Sequence, residues 1–164
     1  MNPPSYRAYK GLPEAAGVCS LAEAAAPGLS VNECVDRLKR YHYALQRLWG
    51  IFNARLTAEP VYELKMAFSL HAHLCAQHVS ALRERVAEMR HPPLGLDAVP
   101  HNQLQLFFDE IRSAPHTVDL LTGIHQRALP VLKAALQRHL RETNHLADWP
   151  SVRLIKFALL ELDE

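Results

Sequence analysis

The spacing of the apolar residues constrains this chain more than any other feature. They recur every three or four positions over long stretches and nowhere alternate for a useful length. Val31, Cys34, Val35, Leu38, Leu45, Leu48, Trp49, Phe52 and Leu56 fall on one face of a helix. So do Leu64, Ala67, Phe68, His71, Leu74, Cys75, His78, Leu82, Val86 and Met89. A period near 3.6 buries one stripe of an α-helix, whereas a half-buried strand needs a period of two. The fold class is therefore all-α.

Punctuation residues set the element boundaries. Ser30 with Glu33 three positions on is a capping box, which opens the first long helix and carries it to about residue 56. Pro60 fits the first turn of a second long helix, where a missing N–H costs nothing, and Pro92 and Pro93 end that helix after Arg90. Residues 91–100 form a loop, and Leu104, Phe107, Phe108 and Ile111 mark a short helix. After Pro115 a long helix carries Leu120, Leu121, Ile124, Ala128, Leu132, Leu136 and Leu140 inward, with a kink expected at Pro130. A last helix begins near Pro150 or Ser151 and directs Val152, Ile155, Leu159 and Leu162 to the core. Residues 1–29, with Pro3, Pro4, Gly11, Pro13, Gly17, Pro27 and Gly28, read as an irregular arm with one helical turn near Leu21 to Ala26. Residues 30–164 then form the helical-bundle domain, four long helices and one short one, with short connections favouring antiparallel packing. No stop signal follows the last helix before Glu164, which suits either a frayed end or a piece of a longer protein.

Charge and composition narrow the partners. Eighteen Lys and Arg against seventeen Asp and Glu give a formal net charge of +1, without the concentrated basic face of a nucleic-acid binder. Arg83, Arg85 and Arg90 alternate with Glu84 and Glu88 and read as a solvated face. No apolar run approaches the roughly 20 residues that cross a bilayer, so no membrane partner is expected. Met1 to Pro4 lacks the basic start of a secretory signal. Cys19, Cys34 and Cys75 are an odd number at irregular spacing, so free thiols and a cytoplasmic location are expected. Glycine-rich phosphate loops, Gly-x-Ser-x-Gly, Cys-x-x-Cys and His-Glu-x-x-His are absent from the chain.

Histidine is the residue type that stands out, with ten in the chain. His71, Cys75 and His78 lie at i, i+4 and i+7, on the apolar face of the second helix, while His73 points away. Imidazole and thiolate ligate zinc, copper or iron, and two or three on one helical face make half of a coordination site. The same residues also suit a core, with histidines bonded to backbone or water and a cysteine as small filler. Both readings stay open. Tyr41, Tyr43 and Trp49, at helical spacing beside Leu45 and Leu48, are read as packing residues.

The segment Phe68 to His78, continued by Ala81 to Arg85, resembles the second helix of the ferritin-like superfamily. Asp148 to Arg153, entering a terminal helix with Glu161 and Glu164, resembles its last helix. The likeness spans residues 30 to 164 and is to a bacterial group of unassigned function in that superfamily. It implies a ferritin-like antiparallel bundle whose metal site repeats a Glu on one helix and a Glu-x-x-His pair on the next. Residue by residue, His78 matches the histidine of the first pair and Cys75 replaces its acid. His42 occupies the position of the preceding glutamate. Glu161 matches the acid of the second pair, and Glu164 replaces its histidine. The third long helix offers only His125, and Glu142 with His145 has the pair's spacing but sits at a helix end.

What the resemblance implies is a transition metal, iron or zinc, in the bundle core and an oxidoreductase activity. Its candidate ligands are His42, Cys75, His78 and Glu161, with His71 as the alternate. Because the mapped set is rich in histidine and poor in carboxylate, a single ion is expected rather than two irons. Two other readings remain open. One is a non-catalytic bundle acting as an interaction or assembly module, self-associating through an exposed apolar helix face. The other is an apolar small-molecule pocket opened at Pro130.

Overall fold

Each helix is built where the apolar period and the punctuation residues require it. The computed structural model describes residues 11–89 and 95–163. Pro3, Pro4, Arg90, His91, Pro92, Pro93 and Glu164 lie outside the described residues. Within the described residues the chain is helical and has no strand. In chain order the helices are α1 (Leu21–Ala25), α2 (Val31–Leu56), α3 (Tyr62–Glu88), α4 (Asn102–Arg112), α5 (Thr117–Gly123), a π-helical turn (Ile124–Ala128), α6 (Leu129–Glu142) and α7 (Trp149–Leu162).

The capping box at the head of α2 forms in full. The Glu33 N–H donates to Ser30 Oγ at 3.3 Å, and the Ser30 N–H donates to Glu33 Oε2 at 2.9 Å. Ser20 and Glu23 repeat the device at α1, the helical turn the sequence suggests, and a 3-10 turn over Glu14–Gly17 that the sequence did not suggest precedes it. Pro60 lies outside α3 rather than in its first turn, since Val61 is the N-cap. Buried Glu59 does the fastening there. It accepts the Val61 N–H at 3.1 Å and the Thr117 hydroxyl at 2.8 Å, which joins the starts of α3 and α5.

The break expected at Pro130 takes a specific form. A proline ring crowds the carbonyl four residues back and has no N–H to give. The helix answers by widening one turn ahead of it. The Leu129 N–H reaches five residues back to the Ile124 carbonyl, and Pro130 then sits in the first turn of α6. A single π turn of this kind alters which way the side chains on either side project, and such turns concentrate at functional sites.

Packing closes a ring. α2 lies along α3, α3 contacts α7, α7 contacts α6, and α6 returns to α2, with α4 against α2 and α5. Val35, Leu38, Leu45, Leu48, Phe68, Leu120, Ile124, Leu136 and Ile155 are essentially inaccessible at its centre. Each such side chain contributes roughly 1.5–3 kcal/mol relative to exposure. Two residues of the expected α2 stripe lie elsewhere: Val31 is 58% and Trp49 44% exposed. Leu45, Leu48 and Phe52 already fill the inner face, and Trp49, turned roughly 100° from Leu48, falls on its edge. Tyr41 and Tyr43 are buried, and the Tyr41 hydroxyl donates to the Ala135 carbonyl at 3.1 Å. Leu159 and Leu162 are half-buried. No helix of the described residues is long and apolar enough to cross a membrane.

Candidate metal centre

The i, i+4, i+7 spacing on α3 turns His71, Cys75 and His78 toward the seam where the π turn, the start of α6 and the end of α7 meet. They line a cleft of about 220 Å³, with Phe52 and Leu74 as its apolar wall. His125, from the π turn, and Glu161, from α7, line it from the opposite side, and Lys133 and Asp163 pair at 2.8 Å beside it. Four of the five residues singled out from sequence therefore share one cleft.

At its centre His78 Nε2 lies 2.6 Å from Glu161 Oε2. Both atoms are buried, and neither is in hydrogen-bond geometry with any partner, including the other. The contact is thus close but off-axis for an N–H···O bond, which leaves both atoms without the partner that buried polar groups normally have. Next to them the His71 ring stacks on Phe52 at 5.5 Å and meets the His125 ring edge-on at 6.4 Å between centroids. Burial, and after it the neighbouring His125, holds the pKa of His71 below the usual histidine value. A neutral imidazole keeps a lone pair free for a cation. Burial pushes the Cys75 thiol up to about 12, so without a cation it stays protonated.

His42 is placed elsewhere. It is fully buried, with the Leu96 backbone as its polar neighbour, and it does not line the cleft. Burial, then the Arg83 charge, lowers its pKa against the opposing Asp97. The reason is register. The α2 residue that reaches the cleft is Phe52, ten positions on and so roughly 15 Å further along the helix axis. Glu142 and His145 also form no pair: Glu142 binds Arg138, and His145 Nε2 meets the Leu140 carbonyl at 2.7 Å.

These residues do not fit a di-iron centre, which needs several carboxylate oxygens, because among the described residues Glu161 and the Lys133-paired Asp163 are the only acids lining the cleft. His78 Nε2 and Glu161 Oε2 are a nitrogen and an oxygen of the kinds that ligate zinc or iron, but at 2.6 Å they stand closer than two ligands of one ion, so holding an ion requires the two side chains to part.

A second group was not visible in the sequence. Among the described residues, Cys34, His139 and Asp148 are the one set of three ligating side chains whose donor atoms all lie within 4.8 Å of one another. His139 extends the stripe of Leu132 and Leu136 as a polar residue, and that was the available signal. Arg85, read from sequence as a solvated charge, turns inward instead and donates to Asp148 Oδ1 at 2.8 Å and to Ser151 Oγ at 2.9 Å. Burial opposes ionisation of Asp148, but polar contacts from His139, Ser151 and Arg85 outweigh it and hold the carboxyl at about 2.

No family model, no curated protein and no solved structure matches the chain.

Proposed function

We propose that this chain is a ferritin-like helical-bundle protein that holds a single transition-metal ion, iron or zinc, in the cleft between α3, the π turn and α7. The observation that carries this reading is the His78–Glu161 contact: two buried donor atoms, 2.6 Å apart and outside hydrogen-bond geometry. His78 and Glu161 hold the ion, with His71 and His125 beside it, and Cys75 lines the wall as a protonated thiol rather than a ligand. Iron supplies one-electron redox chemistry there, and zinc supplies Lewis acidity. The chain's own residues set the rest. Phe52 and Leu74 keep one wall dry and fix the His71 ring, while the Lys133–Asp163 pair sets the charge at the edge of the cleft. With iron as the ion, a cleft of about 220 Å³ around it suits an oxidoreductase rather than a storage role.

Metal content of protein purified without a histidine tag tests the proposal. The wild type is expected to carry iron or zinc, and His78→Ala to carry one equivalent less per chain with an unchanged far-ultraviolet circular dichroism spectrum. Metal content indifferent to that substitution in a folded variant overturns the reading.

One further observation favours the assembly reading alongside it. α3 exposes Tyr62, Met66 and Leu70 at i, i+4, i+8 spacing, each more than half accessible. Such an outward apolar stripe suits self-association.

A further inference from the structure

We propose a second metal site, a closed zinc clamp formed by Cys34, His139 and Asp148. These three residues come from the start of α2, the end of α6 and the residue that leads into α7, and all are buried. A zinc ion here ties together three elements that the helical ladders alone leave independent.

The distances match the ion. Around tetrahedral zinc, metal–ligand bonds of 2.0–2.3 Å place ligand atoms roughly 3.4–3.6 Å apart. Cys34 Sγ lies 3.6 Å and His139 Nε2 3.7 Å from Asp148 Oδ2. The Thr143 hydroxyl, which donates to the same carboxylate atom at 3.4 Å, would turn its oxygen to the ion as the fourth corner. Without an ion, the Cys34 thiol and the Thr143 hydroxyl both donate to Asp148 Oδ2, and His139 is the member left outside those bonds. His139 is wholly inaccessible, and its carboxylate neighbour, Asp148 Oδ2, stands at 3.7 Å from Nε2, longer than a good hydrogen bond. Asp148 occupies the N-cap of α7 yet makes no side-chain cap bond there. Its carboxylate is turned inward, with Oδ1 held by Arg85 at 2.8 Å and Oδ2 facing Cys34, His139 and Thr143. A charged partner that orients the second oxygen of a ligating carboxylate is the usual support of a metal ligand.

The charges balance. When the Cys34 sulfur bonds to zinc, the thiol proton leaves to solvent. His139 binds neutral through Nε2, and the thiolate and the Asp148 carboxylate cancel both charges of the ion. Arg85 is offset by Glu88, 3.0 Å away. All three residues are buried, so the site reads as structural rather than catalytic.

Cobalt(II) in place of zinc gives the test, because a thiolate ligand produces an intense near-ultraviolet charge-transfer band and histidine or carboxylate ligands do not. The full-length, untagged chain is titrated anaerobically as wild type, Cys34→Ser, Cys75→Ser and His78→Ala. The band is expected in the wild type, retained in Cys75→Ser and His78→Ala, and lost in Cys34→Ser. Its absence from the wild type, or its loss in folded Cys75→Ser with retention in Cys34→Ser, overturns the proposal. If Cys34→Ser does not fold, the Cys75→Ser arm decides alone. The His78→Ala arm separates this site from the cleft, since that substitution removes the cleft ion and leaves the clamp.

Discussion

Asn144 is where the helical core holds the N-terminal arm, and removing its side chain has a calculable effect. Its amide donates to the Ala24 carbonyl at 2.9 Å and the Ala26 carbonyl at 2.8 Å, while Oδ1 accepts the Leu146 N–H at 3.0 Å and the Ala147 N–H at 2.9 Å. One side chain thus joins the arm to the α6–α7 connection and shapes that connection just ahead of Asp148. A neutral hydrogen bond contributes about 0.5–1.5 kcal/mol net. Only the bond to Ala24 is partly buried, so water recovers much of the other three, and Asn144→Ala is expected to cost roughly 2–3 kcal/mol. For a chain of this length that lowers Tm by about 5–10 °C. Asn144→Asp keeps the acceptor and loses both donors, so it frees the arm while sparing the connection. Gly28 belongs to the same clamp, since a Cβ there would lie 2.4 Å from the Asn144 backbone nitrogen. Gly28→Ala should therefore be destabilising, and the double variant should cost less than the two singles combined because they break one contact. Urea denaturation measures all three, and limited proteolysis of residues 18–28 reports release of the arm. A loss under about 0.5 kcal/mol for Asn144→Ala, with the arm still protected, refutes the reasoning.

Three further outcomes follow from the packing. Burial pushes the Cys34 thiol, which also faces the Asp148 charge, up to about 11, and the Cys75 thiol up to about 12, while Cys19 is half-buried. In metal-free native protein at mildly alkaline pH, a chromogenic disulfide reagent should therefore modify Cys19 promptly, with Cys34 and Cys75 reacting only on unfolding. Leu45→Ala empties a site with no solvent access and should cost about 2–5 kcal/mol by chemical denaturation, against under about 0.5 kcal/mol for exposed Leu106→Ala. If the outward stripe of α3 mediates self-association, Met66→Glu should lower the molar mass seen by light scattering without changing helicity; a monomeric wild type removes that reading.

Much of the fold was legible because local signals agree with one another. Ser30 with Glu33 starts α2 where the apolar period begins, and Pro115 separates α4 from α5. The cleft was half legible for the same reason. His71, Cys75 and His78 share a face at a spacing that only a helix brings together, and Glu161 was reached through a resemblance to the last helix. What spacing cannot supply is the neighbour across the core. His42 lies in an apolar stripe as expected, but three turns of α2 separate its level from that of the cleft. His125 is brought to the cleft by the widened turn ahead of Pro130, which the sequence expectation treated as a plain kink. Cys34, His139 and Asp148 come from three elements, with 114 positions between Cys34 and Asp148. No local period links residues so far apart. Arg85 misled because alternation with glutamates looks the same for a solvated face and for one arginine turned inward to a buried carboxylate.

The account's central claim, an ion between His78 and Glu161, is tested most directly by an anomalous-difference map at the iron and zinc absorption edges from crystals of the untagged protein. The account predicts a peak within coordination distance of His78 Nε2 and Glu161 Oε2, with His71 and His125 around it. A map without density there, and a His78 ring turned to donate a straight hydrogen bond to Glu161, contradicts it.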